Sequence, residues 1–165
     1  MRQKDELIAR LIESIAQRTD KEDALALPDW RAADWELLLE DAQVVELGNS
    51  EILIRQDETG NGLYFLVEGQ LEVSVPQLGS MSMTPIVTIA PGSIVGEIAF
   101  LDNHARSASV WSRGDSVVLL LSEPAFRNFR ATQPTLCCDL LFAIGRIMAQ
   151  RLRRSQGAPK GGDYF

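Results

Sequence analysis

Between Val44 and Leu121 the chain is a series of short β-branched and aromatic runs, VVEL, EILIRQ, LYFLVEG, QLEVSV, PIVTIA, SASVW and SVVLLL, with glycines between them. Eight of the twelve glycines (Gly48, Gly60, Gly62, Gly69, Gly79, Gly92, Gly96 and Gly114) fall in this stretch. Short runs with turn residues at this spacing are the pattern of an all-β roll or barrel. Tyr64 to Val67 before Glu68-Gly69, and Leu71 to Val75 after it, read as two strands of a hairpin, with Gly69 taking the positive φ of the turn. Gln77 to Thr84 reads as a polar, Met-containing loop between strands.

Helical periodicity flanks the β region. Leu7, Ile8, Leu11, Ile12 and Ile15 recur at helical spacing among charges, which predicts an amphipathic helix over about residues 4 to 18. Thr19 to Pro28 reads as a connector, and a short helix near Ala32 to Ala42 turns Trp35, Leu38 and Leu39 inward. After Leu121, Ser122 is an N-cap with Pro124 in the first turn of a helix through Ala125 to Arg130. Pro134 opens a longer helix to about Arg154, striped by Leu136, Leu140, Leu141, Ile144, Ile147, Met148 and Leu152. The expected organisation is a helical region over 1–42, one β-roll domain with its C-terminal helices over 43–155, and a flexible tail over 156–165.

At 165 residues, 45% of them hydrophobic, the chain can close one core without metal or disulfide staples. No apolar run approaches the ~20 residues that span a bilayer, and Met1 to Arg18 lacks the apolar stretch of a secretory signal, so the expectation is a cytoplasmic protein with no membrane partner. A net charge of −7 repels phosphate backbones, so no nucleic acid is expected as a partner. Cys137 and Cys138 are the two cysteines, and adjacent positions argue against a disulfide framework, a zinc site or an iron–sulfur cluster. The single histidine, His104, has no companion with which to hold a metal or relay a proton. No metal and no cofactor are expected.

The segment Pro91 to Val110, PGSIVGEIAFLDNHARSASV, carries the chemistry. Gly92 and Gly96 bracket a tight turn, and Glu97 to Leu101 fits a single helical turn whose first amides face outward as an anion cradle. Nine positions after Glu97, Arg106 is followed by the small residues Ser107 and Ala108, which let the main chain come close to a ligand. A carboxylate for hydroxyls, a guanidinium for phosphate and exposed amides together suit a compact phosphorylated sugar.

From about Trp30 to Arg154 the sequence resembles the cyclic-nucleotide-binding domain of the catabolite activator protein, the regulatory subunits of cyclic-AMP-dependent kinase and cyclic-nucleotide-gated channels. The likeness rests on G-E-x-A-x-L followed by R-S-A, on IRQDETGNGLYFLVEGQLEV and on PGSIVGE, in the family's order. It implies a mainly β fold with flanking helices, a double-stranded β-helix or jelly-roll-like β-roll, in which 91–110 forms the phosphate-binding cassette. It further implies that Glu97 accepts from the ribose 2′-hydroxyl, that the backbone around Gly96, Ile98 and Ala99 meets ribose and phosphate, and that Arg106 pairs with the cyclic phosphate while Ser107 and Ala108 line the pocket. The chain departs from the family pattern at three places. Asp57-Glu58 replace the usual Gly-Asp, Ser93 stands where Asp is common, and Ala105 precedes Arg106 where many nucleotide-binding members have Pro.

Each of these residues has a plainer reading. Glu97 and Arg106 could form an ion pair with each other, His104 is a solvated loop residue, and Asp102 and Asn103 are turn residues. Tyr64, Phe65 and Trp111 read as core aromatics. Cys137 and Cys138 read as buried, inert thiols. Arg146, Arg151, Arg153 and Arg154 read as solvated cations complementing a helix C-terminus.

The resemblance implies a cyclic AMP or cyclic GMP sensor, not an enzyme, that passes ligand binding to a protein partner through its C-terminal helix. The same helix would serve as a possible homodimer interface. The alternative is a scaffold or interaction protein that keeps the roll and has lost nucleotide binding. A DNA-binding relative would need a helix-turn-helix after the long helix, and the chain ends within about ten residues of Arg154.

Overall fold

The computed structural model describes residues 2–19, 23–76 and 83–155. Helix α1 (Arg2–Gln17) and helix α2 (Ala32–Leu39) precede the strands β1 (Gln43–Leu47), β2 (Ile52–Ile54), β3 (Leu63–Glu68), β4 (Leu71–Pro76), β5 (Met83–Ile89) and β6 (Ile94–Val95). A short helix α3 (Glu97–Asp102), strands β7 (Ser109–Ser112) and β8 (Ser116–Leu121), and helices α4 (Glu123–Thr132) and α5 (Pro134–Ser155) complete the order. Two antiparallel four-stranded sheets face each other, β1-β8-β3-β6 and β2-β7-β4-β5. This is the jelly-roll-like roll with helices on both sides of it in sequence.

The hairpin expected at Gly69 does not form. β3 pairs with β6 and β8, whereas β4 pairs with β5 and β7, so the chain crosses from one sheet to the other at Glu68 to Leu71. Gly69, at φ +85, makes this corner, and a Cβ there would lie 2.3 Å from the Asp115 carbonyl oxygen. The Ser116 hydroxyl ties the corner down, accepting from Gln70 N at 3.1 Å. An apolar run, a glycine and a second apolar run describe a hairpin and a crossing corner equally well, and only the sheet partners separate them. β4 instead pairs with β5, which begins at Met83, so Met83 and Thr84 are strand and not loop, and Gln77 to Ser82 lie outside the described residues. The ladder slips opposite Val73 and Ser74, where Ser74 faces Pro85 on the last strand of its sheet.

Two apolar clusters hold the molecule. The larger packs Leu7, Ile8 and Leu11 of α1, Trp35, Leu38 and Leu39 of α2, Phe129 of α4, and Leu140, Ile144 and Ile147 of α5 onto Leu63, Phe65, Leu119 and Leu121. The smaller lies between the sheets and contains Leu47, Ile54, Leu66, Leu71, Ile89, Val95, Val110 and Val118. Neighbouring residues of β3 and β8 point into different clusters, so the β1-β8-β3-β6 sheet is covered on both faces. This explains why LYFLVE and SVVLLL read as unbroken apolar runs and not as alternation. The Gln43–Leu121 span and the α5 boundary match the sequence-based expectation, and Ser122 caps α4 by accepting from Ala125 N at 3.4 Å.

The N-terminal segment is strapped to the turn that leads into the cassette. Leu25 N donates to the Gly92 carbonyl at 3.0 Å, and Gly92 N donates to Leu66 O at 2.9 Å. A Cβ on Gly92, whose φ is +89, would sit 3.1–3.3 Å from Ile15, so glycine is needed here for close approach as well as for conformation. Gly157 to Phe165, expected as a tail, lies outside the described residues.

Candidate functional site

The strap and the strand order bring one segment, 93–110, against the inner face of the roll. β6 ends at Val95, Gly96 turns at φ +83, and α3 follows, closed by Phe100 N donating to Gly96 O at 3.1 Å and by Asn103 in a left-handed cap at φ +58. In the first turn the amides of Glu97, Ile98 and Ala99 have no intrahelical acceptor by geometry. The loop then returns to β7 through Arg106. Its main chain is fixed on both sides, since Arg106 N donates to Glu58 O and Asp57 N donates to Arg106 O, each at 2.9 Å. Asp57 takes the left-handed conformation, φ +66, that a glycine would otherwise supply, so the turn forms with Asp57-Glu58 in place.

A cavity of about 690 Å³ opens between this segment, the sheets and the last turns of α5. Its apolar wall comes from Ile54, Val73, Val87, Ile89, Val95 and Val110, with Met148, Ala149 and Leu152 from the helix. All seven residues expected at the site, Gly96, Glu97, Ile98, Ala99, Arg106, Ser107 and Ala108, line it. That size lies within the range of ~300–1,000 Å³ typical of small-ligand sites. Leu152, counted in the apolar stripe, is 58% exposed and borders the cavity.

Arg106 and Glu97 are both buried, at 6% and 7% exposure, and they do not pair with each other. The Arg106 guanidinium donates to the carbonyls of Gly96 at 3.2 Å and Gly62 at 3.1 Å, and lies 5.8 Å from the centre of the Tyr64 ring. Burial pulls its pKa below the ordinary arginine value, with the attraction of Tyr64 and Glu97 opposing. Among the described residues no carboxylate is bonded to it. A buried cation met only by dipoles is poised to take an anion from the cavity side.

Glu97 pairs with Arg151 of α5, Oε1 to Nη1 at 2.7 Å. The expectation that Arg151 is a solvated helix-end cation is therefore wrong. Its side chain is 18% exposed and binds Asp23 at 2.6 Å and the Ile94 carbonyl at 2.7 Å. Burial alone would lower its pKa, but the attraction of Glu97 and the hydrogen bond and charge of Asp23 together raise it. Arg154 also reaches Asp23, at 3.2 Å, whereas Arg153 is exposed and the Arg146 guanidinium lies 5.7 Å from the Phe142 ring centre. Asp23 accepts from the Ser93 hydroxyl at 3.1 Å, so the connector places a carboxylate beside the serine that stands where the family pattern favours Asp. Neither Arg151, which lines the cavity, nor Asp23, which binds Arg151, was legible in these contacts from the sequence. They lie 128 positions apart, and each looks like ordinary solvated charge on its own segment.

The remaining expectations divide. His104 is exposed and bonded to Asp102, whose helix ends at Asn103. Phe65 is fully buried, but Tyr64 is half-buried beside Arg106, and Trp111 is half-buried with its indole N–H on Glu72 at 2.9 Å. Cys137 is buried and burial pushes its thiol pKa up, whereas Cys138 is exposed, against expectation. The two lie on different faces because successive residues on a helix point about 100° apart.

Two facing antiparallel sheets, a short helix on the segment between β6 and β7, and a C-terminal helix beside the cavity define a roll with a cavity of small-ligand size. A family model for the cyclic nucleotide-binding domain matches residues 44–133, more than half of the sequence. The chain belongs to that family. It is 30% identical over 112 residues, 67% of its length, to a Pycsar effector protein of Burkholderia cepacia, and covers 34% of that protein. An uncharacterized ABC transporter ATP-binding protein of Mycobacterium tuberculosis is 35% identical over 134 residues, 74% of this chain and 40% of its own. The chain thus spans two-fifths or less of the length of these relatives. A cyclic nucleotide-binding domain from Methylobacillus flagellatus superposes with a TM-score of 0.78 at 20% identity, covering 98% of this chain and 88% of that one. The Thermus thermophilus catabolite activator protein gives 0.69 at 22% identity, covering 78% and 58%. Among the described residues no helix is long and apolar enough to cross a membrane, and no group of His, Cys, Asp and Glu is arranged to hold a metal ion.

Proposed function

We propose that this chain binds a cyclic mononucleotide, cyclic AMP or cyclic GMP, in the cavity and relays its occupancy through α5 to a protein partner. The observation that carries this reading is Arg106, a buried guanidinium on the cavity wall satisfied by carbonyls and unmatched by a carboxylate. A cyclic phosphate supplies the missing charge. Glu97 takes the ribose 2′-hydroxyl on an oxygen it can share with Arg151, since a carboxylate accepts at both oxygens. The backbone of Gly96, Ile98 and Ala99 meets ribose and phosphate, Ser107 and Ala108 close the same edge, and the apolar wall takes the base. The proposed role is recognition, in keeping with the family to which the chain belongs. The reading places the protein in the cytoplasm, where free thiols stay reduced.

The relay rests on α5, which both borders the cavity and leaves an apolar seam outward. Cys138, Phe142, Gly145, Ala149 and Leu152 follow one another at spacings of 4, 3, 4 and 3 residues, and all are exposed, Phe142 at 73%. That spacing is the seam of a two-stranded coiled coil, so a second copy of this chain is the partner it fits first.

Calorimetric titration with cyclic AMP and cyclic GMP tests the ligand. Ligand at 100 times its dissociation constant stabilises the fold by about 2.7 kcal/mol, which a thermal scan reads as a rise in Tm. Arg106→Ala should cost about 2 to 5 kcal/mol of binding, as for one partner removed from a buried charge pair. No shift at millimolar nucleotide would overturn the sensor and leave a scaffold that keeps the roll alone.

A further inference from the structure

Asp23 lies in the connector between α1 and α2, in the left-handed region at φ +63 and 5% exposed. Three residues of α5 converge on it. Its amide donates to Gln150 Oε1 at 3.0 Å, its Oδ1 takes Arg151 Nε at 2.6 Å and Arg154 Nη2 at 3.2 Å, and its Oδ2 takes the Ser93 hydroxyl. Arg151 spends its other two nitrogens inward. Nη2 donates to Ser93 Oγ at 3.3 Å and Ile94 O at 2.7 Å, and Nη1 meets Glu97. One guanidinium therefore joins three segments remote in sequence: the connector, the cassette and the closing helix.

Stability alone is a weak reason for such a cluster, because desolvation of buried ions offsets most of their attraction. The left-handed backbone at Asp23 adds a further cost. The arrangement makes sense as control of Glu97. Glu97 stands in a cavity that is to receive an anion, and Arg151 cancels its charge there. A guanidinium holds one geometry only if its planar fork is filled on both sides, and Asp23 fills the side away from Glu97. With Arg106, Arg151 and Arg154 against Asp23 and Glu97, the balance around the site is three positive to two negative, one net positive charge for a singly charged phosphodiester.

We propose that Asp23 is a positioning residue of the nucleotide site, which sets the Glu97 carboxylate for the ribose 2′-hydroxyl by fixing Arg151 between them. The inference rests on the cyclic-nucleotide reading above. It makes the N-terminal connector part of the site beside the cassette and α5, although the described connector residues make no wall of the cavity.

The test is titration of wild type and Asp23→Asn with cyclic AMP, cyclic GMP and their 2′-deoxy counterparts. Asp23→Asn keeps the shape and removes the charge. It should weaken the ribonucleotides about tenfold, the scale of one hydrogen bond to a charged group, and the 2′-deoxy analogues less than twofold. Arg151→Lys, which keeps a cation on α5 and loses the fork, should collapse the same ribo-to-deoxy ratio, and it stands in for Asp23→Asn if that variant does not fold. Equal weakening of both analogues, or an unchanged ratio in a folded variant, overturns the proposal and makes the cluster merely structural. Failure of the wild type to bind any of the four nucleotides overturns the ligand reading itself, and this inference with it.

Discussion

At Gly96 a single hydrogen atom in place of a side chain decides whether Arg106 can hold its place on the cavity wall. A Cβ there would lie 2.7 Å from Arg106 Nη1 and 2.9 Å from the Gly62 carbonyl, on a backbone at φ +83 that L-residues rarely adopt. Neither neighbour can yield freely, since the carbonyl is main chain and the guanidinium is held by it. Gly96→Ala should therefore destabilise the fold by about 1–3 kcal/mol and also push Arg106 off its carbonyls. Thermal unfolding reads the first effect and nucleotide titration the second. An alanine variant with wild-type affinity would show that Arg106 does not need its two carbonyls to bind. The glycine itself was readable from the sequence as a cavity residue, as were Glu97 and Arg106, because these lining residues lie in one contiguous segment whose spacing is fixed by a turn and a short helix. Asp23 and Arg151 were not, because they are joined by a contact between segments that local periodicity does not link.

Helices α2 and α5 show how element-scale features can be read in part. The start of α2 is held by Asp34, whose carboxylate accepts from the Arg31 amide at 2.8 Å. That backbone bond, with the Arg31 side chain aiding it, holds the Asp34 pKa below its ordinary value. A carboxyl depressed in the folded state contributes stability above its unfolded pKa of 3.8 and loses it as pH falls through the lower folded value. Wild type should lose more stability than Asp34→Asn as pH is lowered from 5 to 2, measured by chemical denaturation at each pH; parallel curves for the two would refute the cap's role. On α5 the apolar stripe was legible, but which of its residues stay outside was not, and Phe142 was no part of it. Leu140, Ile144 and Ile147 go to the core while Phe142 and Leu152 stay outside. Phe142→Glu places charge in the outer seam and leaves the core untouched. Light scattering after size exclusion should then find a dimer for wild type and a monomer for the variant, and a wild-type monomer at high micromolar concentration would reject the seam. The β3–β4 corner failed for a related reason: sequence marks where a chain turns, whereas which sheet it turns into depends on partners 50 or so residues away, Ser116 and Val117 among them.

Over the whole molecule, one sheet carries two cores. β3 and β8 send Phe65 and Leu119 toward the helices and Leu66 and Val118 toward the other sheet. The cavity takes most of its apolar wall from the second cluster and its lid from a helix rooted in the first. On the proposed reading, a nucleotide seated there lies between the second cluster and α5. Native-state hydrogen exchange should show the amides of α5 opening at lower free energy than those of β3 and β8 without nucleotide, and approaching them when it is bound. Protection of α5 that ignores nucleotide would mean that the lid is not coupled to the cavity. The general layout was legible because β spacing and helical periodicity are local signals, and the shared sheet was hinted at only by the length of its apolar runs. The β2-β7-β4-β5 sheet ends on a strand interrupted by a slipped rung and by Pro85, a residue with no amide hydrogen to offer a newcomer. An open rim of that kind resists recruitment of stray strands from other chains. The roll is thereby kept unsociable along that border, which leaves the proposed seam on α5 without a competing edge on that side of the sheet.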